Sequence, residues 1–262
     1  MGRVKRQSLI AFTLVACSWA LALGSFAYYR MAYYQIAQEN TLLRLGRGET
    51  AVPEIPETPS GVLSLPKPAT VGQLSLEETL QDRRSKREFL DNPLKVVQLG
   101  QLLWAAQGVT QATWGLRTAP SAGGTYPLEL IVVIGDKGID RVEAGVFRYD
   151  PSTHSLTRLQ KGDRRSDLAT ASLSQSWVKK APVVFVILAR FERTTQRYGE
   201  RGVRYVHLEA GHATQNLLLQ AVAMGLGAVP VGAFGDNEVK EALGIRDQMT
   251  PLYVVPVGYP AA

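Results

Sequence analysis

Between Gln81 and Leu90 the sequence reads QDRRSKREFL, which places Arg83, Arg84, Lys86 and Arg87 around the single hydroxyl of Ser85. Three guanidinium forks and a hydroxyl can supply charge-assisted hydrogen bonds to every oxygen of a terminal phosphate, each contributing about 1.5–3 kcal/mol. The same cations would also complement the negative end of a helix, and basic helix ends are more often simply solvated. A nucleic acid is the weakest fit, because no aromatics that could stack on bases are interleaved with the cluster. On this stretch alone, solvation is the stronger reading.

Two further stretches carry polar groups in turn-like settings. RTAPSAGGTYPLEL, from Arg117 to Leu130, gathers Pro120, Gly123, Gly124 and Pro127, so its backbone can approach a ligand closely, with Ser121, Thr125 and Tyr126 as polar contacts. A tight helix-to-strand connector reads equally well. HLEAGHATQNLLLQAVAMGLGAVPVGAF, from His207 to Phe234, has Gly225 and Gly227 after a helix and before a strand. A dinucleotide fingerprint needs the reverse order, so that site is not expected. His207 and His212 do not share a helix face, which argues against a metal site. His212, grouped with Glu209 and Asn216 on one polar face, is expected to be a buried, hydrogen-bonded histidine. No serine sits in a nucleophile elbow.

The elements that must position these residues are legible in outline. Ser75 and Glu78 form a capping box, so a helix should begin there and carry Arg83 and Arg84 in its last turn. VVQLGQLLWAAQGV puts Val96, Leu99, Leu103 and Ala106 on one helical face, and Ala213, Leu217, Ala221 and Met224 do the same later. LELIVVIG, PVVFVILA and LYVVPVG are short apolar runs bounded by turn residues, as buried strands are. GVFRYD and SLTRL flank Pro151 to His154 as a hairpin. Strands interleaved with long helices argue for an α+β or α/β fold.

Ahead of this domain the chain changes character. From Ser8 to Tyr29 it is uncharged and apolar, about the 20 residues a helix needs to cross a bilayer. Arg3, Lys5 and Arg6 outweigh Arg30, so the domain is expected outside the cytoplasm. An alternative is a lipoprotein, with Leu14 to Cys17 as lipobox and Cys17 as the acylated residue. The expected division is an anchor or signal segment at 1–30, a proline-rich linker at 31–72 and a single domain at 73–262. The excess of 29 Lys and Arg over 23 Asp and Glu, +6 in all, sits partly in the basic flank, and so gives no support to nucleic-acid binding. Cys17 is the only cysteine, so redox chemistry would need a borrowed cofactor.

The order of the motifs is more specific than any one of them. LPKPATVGQLSLEETLQDRRSKREF, RTAPSAGGTYPLELIVV, RYGERGVRYVHLEAGHATQNLLLQA, GLGAVPVGAF and a closing PVGYP resemble, in sequence, the SagB/ThcOx-type branch of the nitroreductase family. The resemblance implies an α+β fold with a mixed central sheet flanked by helices, an interlocked homodimer, and FMN at the subunit interface. By the same resemblance Arg83, Ser85 and Arg87, with Arg84, would hold the FMN phosphate. Pro120, Ser121, Ala122, Gly123 and Gly124 would come from the partner subunit against the flavin ring, and Pro230, Val231, Gly232 and Ala233 would lie along the ring face. The apolar helix from Tyr205 to Met224 would form the dimer core. Implied functions are hydride or electron transfer from NAD(P)H or a small substrate to a second acceptor; the alternatives are flavin binding without turnover, or a membrane-tethered interaction module that keeps the fold without the cofactor. Azoline-oxidising members carry a Lys-Tyr pair where this chain has Arg197-Tyr198, and an arginine stays protonated and cannot act as a base.

Overall fold

The structure is a computed structural model that describes residues 61–261. The proposed membrane segment, the lipobox at Cys17 and most of the linker lie outside the described residues. Among the described residues no helix is long and apolar enough to cross a membrane.

Strands β4 (Leu128–Ile134) and β7 (Val183–Ala189) are the centre of a seven-stranded sheet of order β1-β6-β5-β4-β7-β9-β8. The others are β1 (Val62–Ser64), β5 (Gly145–Asp150), β6 (Ser155–Lys161), β8 (Gly227–Ala228) and β9 (Thr250–Gly258). A separate ribbon pairs β2 (Val109–Gln111) with β3 (Leu116–Arg117). The three apolar runs are β4, β7 and β9, and the expected hairpin is β5–β6. Both faces of the central strands are buried, so their sequences are apolar without alternation. Leu128, Leu130, Val132 and Ile134 face α2 (Val96–Gln107) and α6 (Arg201–Ala223). Ile131 and Val133 face α3 (Arg165–Ala171), α4 (Ser176–Lys180) and α7 (Asp236–Ala242).

The sheet corrects one expectation. Every pair of strands in it is antiparallel, and parallel pairing is confined to single bridges at Ser85–Ala228 and Leu94–Ile139. The reason is topological: β7 and β8 run the same way, and β9 inserts between them antiparallel to both.

The capping box forms as expected. Ser75 Oγ accepts from the Glu78 amide at 3.1 Å, and Glu78 Oε2 accepts from the Ser75 amide at 2.7 Å. The helix it starts, α1 (Leu76–Asp82), ends two residues short of Arg84: Arg83 is its C-cap and Arg84 lies beyond it. Residues 62–66, expected in the linker, belong to the domain. Val62–Ser64 form β1, and Pro66 is held by His154, whose Nε2 donates to its carbonyl at 2.9 Å, leaving Nδ1 to accept from the Tyr149 hydroxyl at 2.9 Å.

Phe185 is fully buried between α2, α6 and the sheet. Phe185→Ala is expected to destabilise the fold by about 3–5 kcal/mol, read as a lower urea midpoint at unchanged slope.

Candidate functional site

The basic cluster is fastened to the far edge of the sheet. The Lys86 amide donates to the Ala228 carbonyl at 3.0 Å, Leu90 to Tyr259 at 2.9 Å and Ala261 to Glu88 at 3.0 Å. Gly227 permits this, since a Cβ there would stand 2.8 Å from Lys86 Cβ. Successive residues of an extended segment point to opposite sides, so Ser85 and Arg87 project together away from Lys86. The side chains of Arg83 and Ser85 form no hydrogen bond or ion pair among the described residues, and Arg87 only lies over the Trp177 ring at 5.5 Å. Arg84 is turned back, its Nη1 donating to the carbonyls of Gln81 at 2.9 Å and Arg83 at 2.7 Å.

The segment Pro230–Ala233 continues from β8 beside this cluster. Pro230 has no amide hydrogen, and the Val231 amide donates to Val254 at 2.8 Å. The amides of Gly232 and Ala233 have no partner among the described residues, and both residues are exposed. Space is open where a Gly232 Cβ would be. Of the four residues, then, only these two can offer backbone donors to a ligand.

A second cluster lies towards the other end of α6. The loop Pro120–Gly124 turns through a short 3₁₀ segment at Ala122–Gly124, with Gly123 at φ 61°. A Cβ on Gly123 would meet the Tyr198 hydroxyl at 2.5 Å, and Arg197 Nη1 donates to the Gly123 carbonyl at 3.1 Å. Arg197 and Tyr198 end α5 (Glu192–Tyr198), and the Tyr198 ring packs edge-on to Tyr205. The structure therefore brings Arg197-Tyr198 to Pro120–Gly124, and Arg83, Ser85 and Arg87 to Pro230–Ala233. It does not join the two groups within one chain. Helix α6 has 23 residues and spans about 34 Å; β8 follows its last turn, whereas the 122–124 turn and α5 pack on it before that end.

Residues 80–259 match the model of the nitroreductase family. The chain belongs to this family. A protein of Methanocaldococcus jannaschii assigned as a nitroreductase is 46% identical over 188 residues, covering 72% of this chain and 92% of that protein. The trifolitoxin-processing protein TfxB of Rhizobium leguminosarum bv. trifolii is 33% identical over 114 residues, 42% of this chain and 30% of its own length. The FMN reductase [NAD(P)H] of Bacillus subtilis is 25% identical over 198 residues, 70% of this chain and 65% of that protein. Among solved structures, a nitroreductase-type protein from Ralstonia eutropha superposes with a TM-score of 0.67 at 31% identity, covering 82% of this chain and 97% of that one.

In this nitroreductase-family chain the sequence analysis placed Glu209 on a polar face and missed its burial. Glu209 lies on the buried stripe of α6, only 2% exposed, one helical repeat before Ala213, Leu217 and Ala221. A carboxylate on an otherwise apolar stripe was the signal that could have found it. Gln107 Nε2 donates to Glu209 Oε1 at 3.4 Å, and Gln107 Oε1 accepts from Arg117 Nη1 at 2.9 Å. The Ser121 hydroxyl accepts from the Tyr126 amide at 2.9 Å and lowers the proton affinity of Glu209. Asn216 Nδ2 reaches the Thr118 carbonyl at 3.4 Å. Asn216 thus holds the 118–121 segment from beneath. His212 is corrected: it is exposed, because its position on α6 faces outward between Glu209 and Asn216.

Burial pushes the Glu209 carboxyl up to about 6, against the opposing hydrogen bonds of Ser121 and Gln107 and the charge of Arg117. A raised acid is most stabilising while protonated. Its contribution should be complete below pH 4.5 and lost as pH rises through about 6, a span of about 2 kcal/mol. Glu209→Gln is expected to flatten this part of the stability profile, measured by urea unfolding at pH 4.5, 6 and 7.5.

Proposed function

We propose that this chain is an FMN-dependent oxidoreductase working as a homodimer, with each flavin site built from two subunits. The observation that carries this reading is the pinning of Ser85 and Lys86 to β8, which sets unspent cations beside the free amides of Gly232 and Ala233. These groups fit FMN: a dianionic phosphate for Arg83, Ser85 and Arg87, and two donors with open space above them for a flat ring. Arg84, engaged with the end of α1, contributes charge. Bound FMN would supply hydride and electron transfer between two substrates. The FMN reductase named above, together with the family match, supports this cofactor.

The separation of the two residue groups along α6 favours a shared site, in which Pro120–Gly124 of the second subunit, with Arg197 and Tyr198, completes the pocket. The outer face of α6 supports such pairing: Val203 is 42% and Leu208 53% exposed, and Gly211 leaves open space for a close helix approach. Leu76 and Leu80 of α1, which packs on α6, are also exposed. This outward stripe, rather than the whole of residues 205–224, is the proposed dimer core, because the inner stripe is already buried.

Within the family we place the chain in the SagB/ThcOx-type branch, a placement favoured by its similarity to the trifolitoxin-processing protein. Arg197 anchors the Gly123 carbonyl, and a guanidinium is no general base, so Arg197 positions the loop and leaves proton transfer to Tyr198. Azoline oxidation is therefore not the proposed reaction; NAD(P)H or a small organic donor is. The uncharged run Ser8–Tyr29 would hold the domain at the outer face of a membrane.

The full-length protein is expected to bind FMN and to bleach on anaerobic addition of NADH or NADPH. Bleaching supports the reductase; flavin that stays yellow with every donor supports a carrier. Arg83→Ala with Arg87→Ala, each ending a charge-assisted bond, should weaken FMN binding at least about a hundredfold with an unchanged circular dichroism spectrum. Wild-type FMN affinity in that variant would overturn the phosphate assignment.

A further inference from the structure

A cleft of about 320 Å³ opens at the end of the sheet where β4 begins and β5 finishes, and none of Arg83, Ser85, Arg87 or Pro230–Ala233 lines it. Arg117, Arg148 and Arg193 are in its wall. Arg193 is spent, donating to Glu129 Oε1 at 2.6 Å and to the Tyr126 carbonyl at 3.0 Å. Glu129 is also 3.6 Å from Arg190, so its charge is met from two sides. The remaining carboxylate of the wall, Asp150, is held by its own turn, accepting from the Ser152 amide at 2.8 Å and hydroxyl at 2.6 Å.

Two cations are left. Arg117 donates only to the neutral amide oxygen of Gln107 and lies over the Tyr126 ring at 4.4 Å. Arg148 has less: its Nε is buried without a hydrogen-bond partner, and its guanidinium forms no ion pair among the described residues. A buried charged donor without an acceptor is costly, and a planar fork is matched best by a carboxylate or phosphate. The accessible apolar part of the wall is Pro151, since Leu128 and Leu130, 3% and 2% exposed, are turned into the core. The volume falls at the small end of ligand pockets, about 300–1,000 Å³, too little for a dinucleotide.

We propose that this cleft binds a small organic anion, its carboxylate or phosphate taken by Arg148 and Arg117 and its apolar body resting against Pro151. Arg117 is also the first member of the chain Arg117–Gln107–Glu209. An anion that draws Arg117 from Gln107 therefore acts on the partners of the buried Glu209 carboxylate. The site goes beyond the flavin reading and does not rest on it, since binding is measured without turnover.

The test is calorimetric titration of the full-length protein with benzoate and with phenyl phosphate at constant ionic strength, with benzyl alcohol as the neutral control. Saturable binding of an anion, no binding of the alcohol, and at least a tenfold loss of affinity in Arg148→Gln are expected. Equal binding of the alcohol, or no saturable binding of either anion below about 10 mM, overturns the proposal. Anion binding that survives Arg148→Gln but is lost in Arg83→Ala with Arg87→Ala would place the anion at the basic cluster, and also overturns it. If Arg148→Gln does not fold, Arg148→Lys keeps the charge without the fork and should still weaken binding; unchanged affinity there counts against the site.

Discussion

The packing of α6 lengthwise along the sheet is the constraint on which the rest of the structure depends. Val206, Ala210, Ala213, Leu217 and Ala221 are essentially inaccessible against the central strands. Their small average size lets the helix lie close to β4 and β7 over most of its length. Because the helix is as long as the sheet, the chain re-enters at the opposite end to form β8. That re-entry supplies an edge for residues 85–90, while the earlier turns of the helix support the 118–126 loop. Dispersion and burial along one helix face thus decide where both groups of polar residues stand.

Charge is managed differently in the two places. At the sheet edge, Arg83, Ser85 and Arg87 stand in solvent with their bonding capacity unspent, a cheap arrangement because water satisfies them until a ligand does. Inside, Glu209, Gln107 and Arg117 are linked in series, and each is partly deprived of water. A buried carboxylate survives only with such partners, and even so its proton affinity is raised. The network therefore makes the placing of Arg117 specific and sensitive to proton concentration.

Glycine marks the close approaches that this plan requires. Gly227 admits Lys86 against β8, and Gly123, already in the left-handed region, admits Tyr198 and Arg197 to the loop. At both positions a methyl group would overlap a neighbour, so these two glycines act as spacers between segments far apart in sequence rather than as sources of flexibility.

Local order was readable without the structure. The capping box at Ser75 and Glu78, the β5–β6 hairpin and the buried strands β4, β7 and β9 follow from periodicity and turn chemistry, which involve neighbours along the chain. The succession of motifs was enough for the family. What the sequence did not contain was the pairing of distant segments. An unbroken apolar run says that both faces of a strand are covered, not which way its neighbour runs, so the antiparallel order emerged only from the path of α6. Glu209 and Gln107 are 102 residues apart, and Arg148 looks like any surface arginine of a hairpin until β4 and β6 flank it. Sequence by itself determined the elements and the types of chemistry available, because both depend on residue identity and short spacing. Tertiary structure decided which of those groups are buried, paired or left unspent, because solvation and hydrogen bonding depend on what folding brings within a few ångströms.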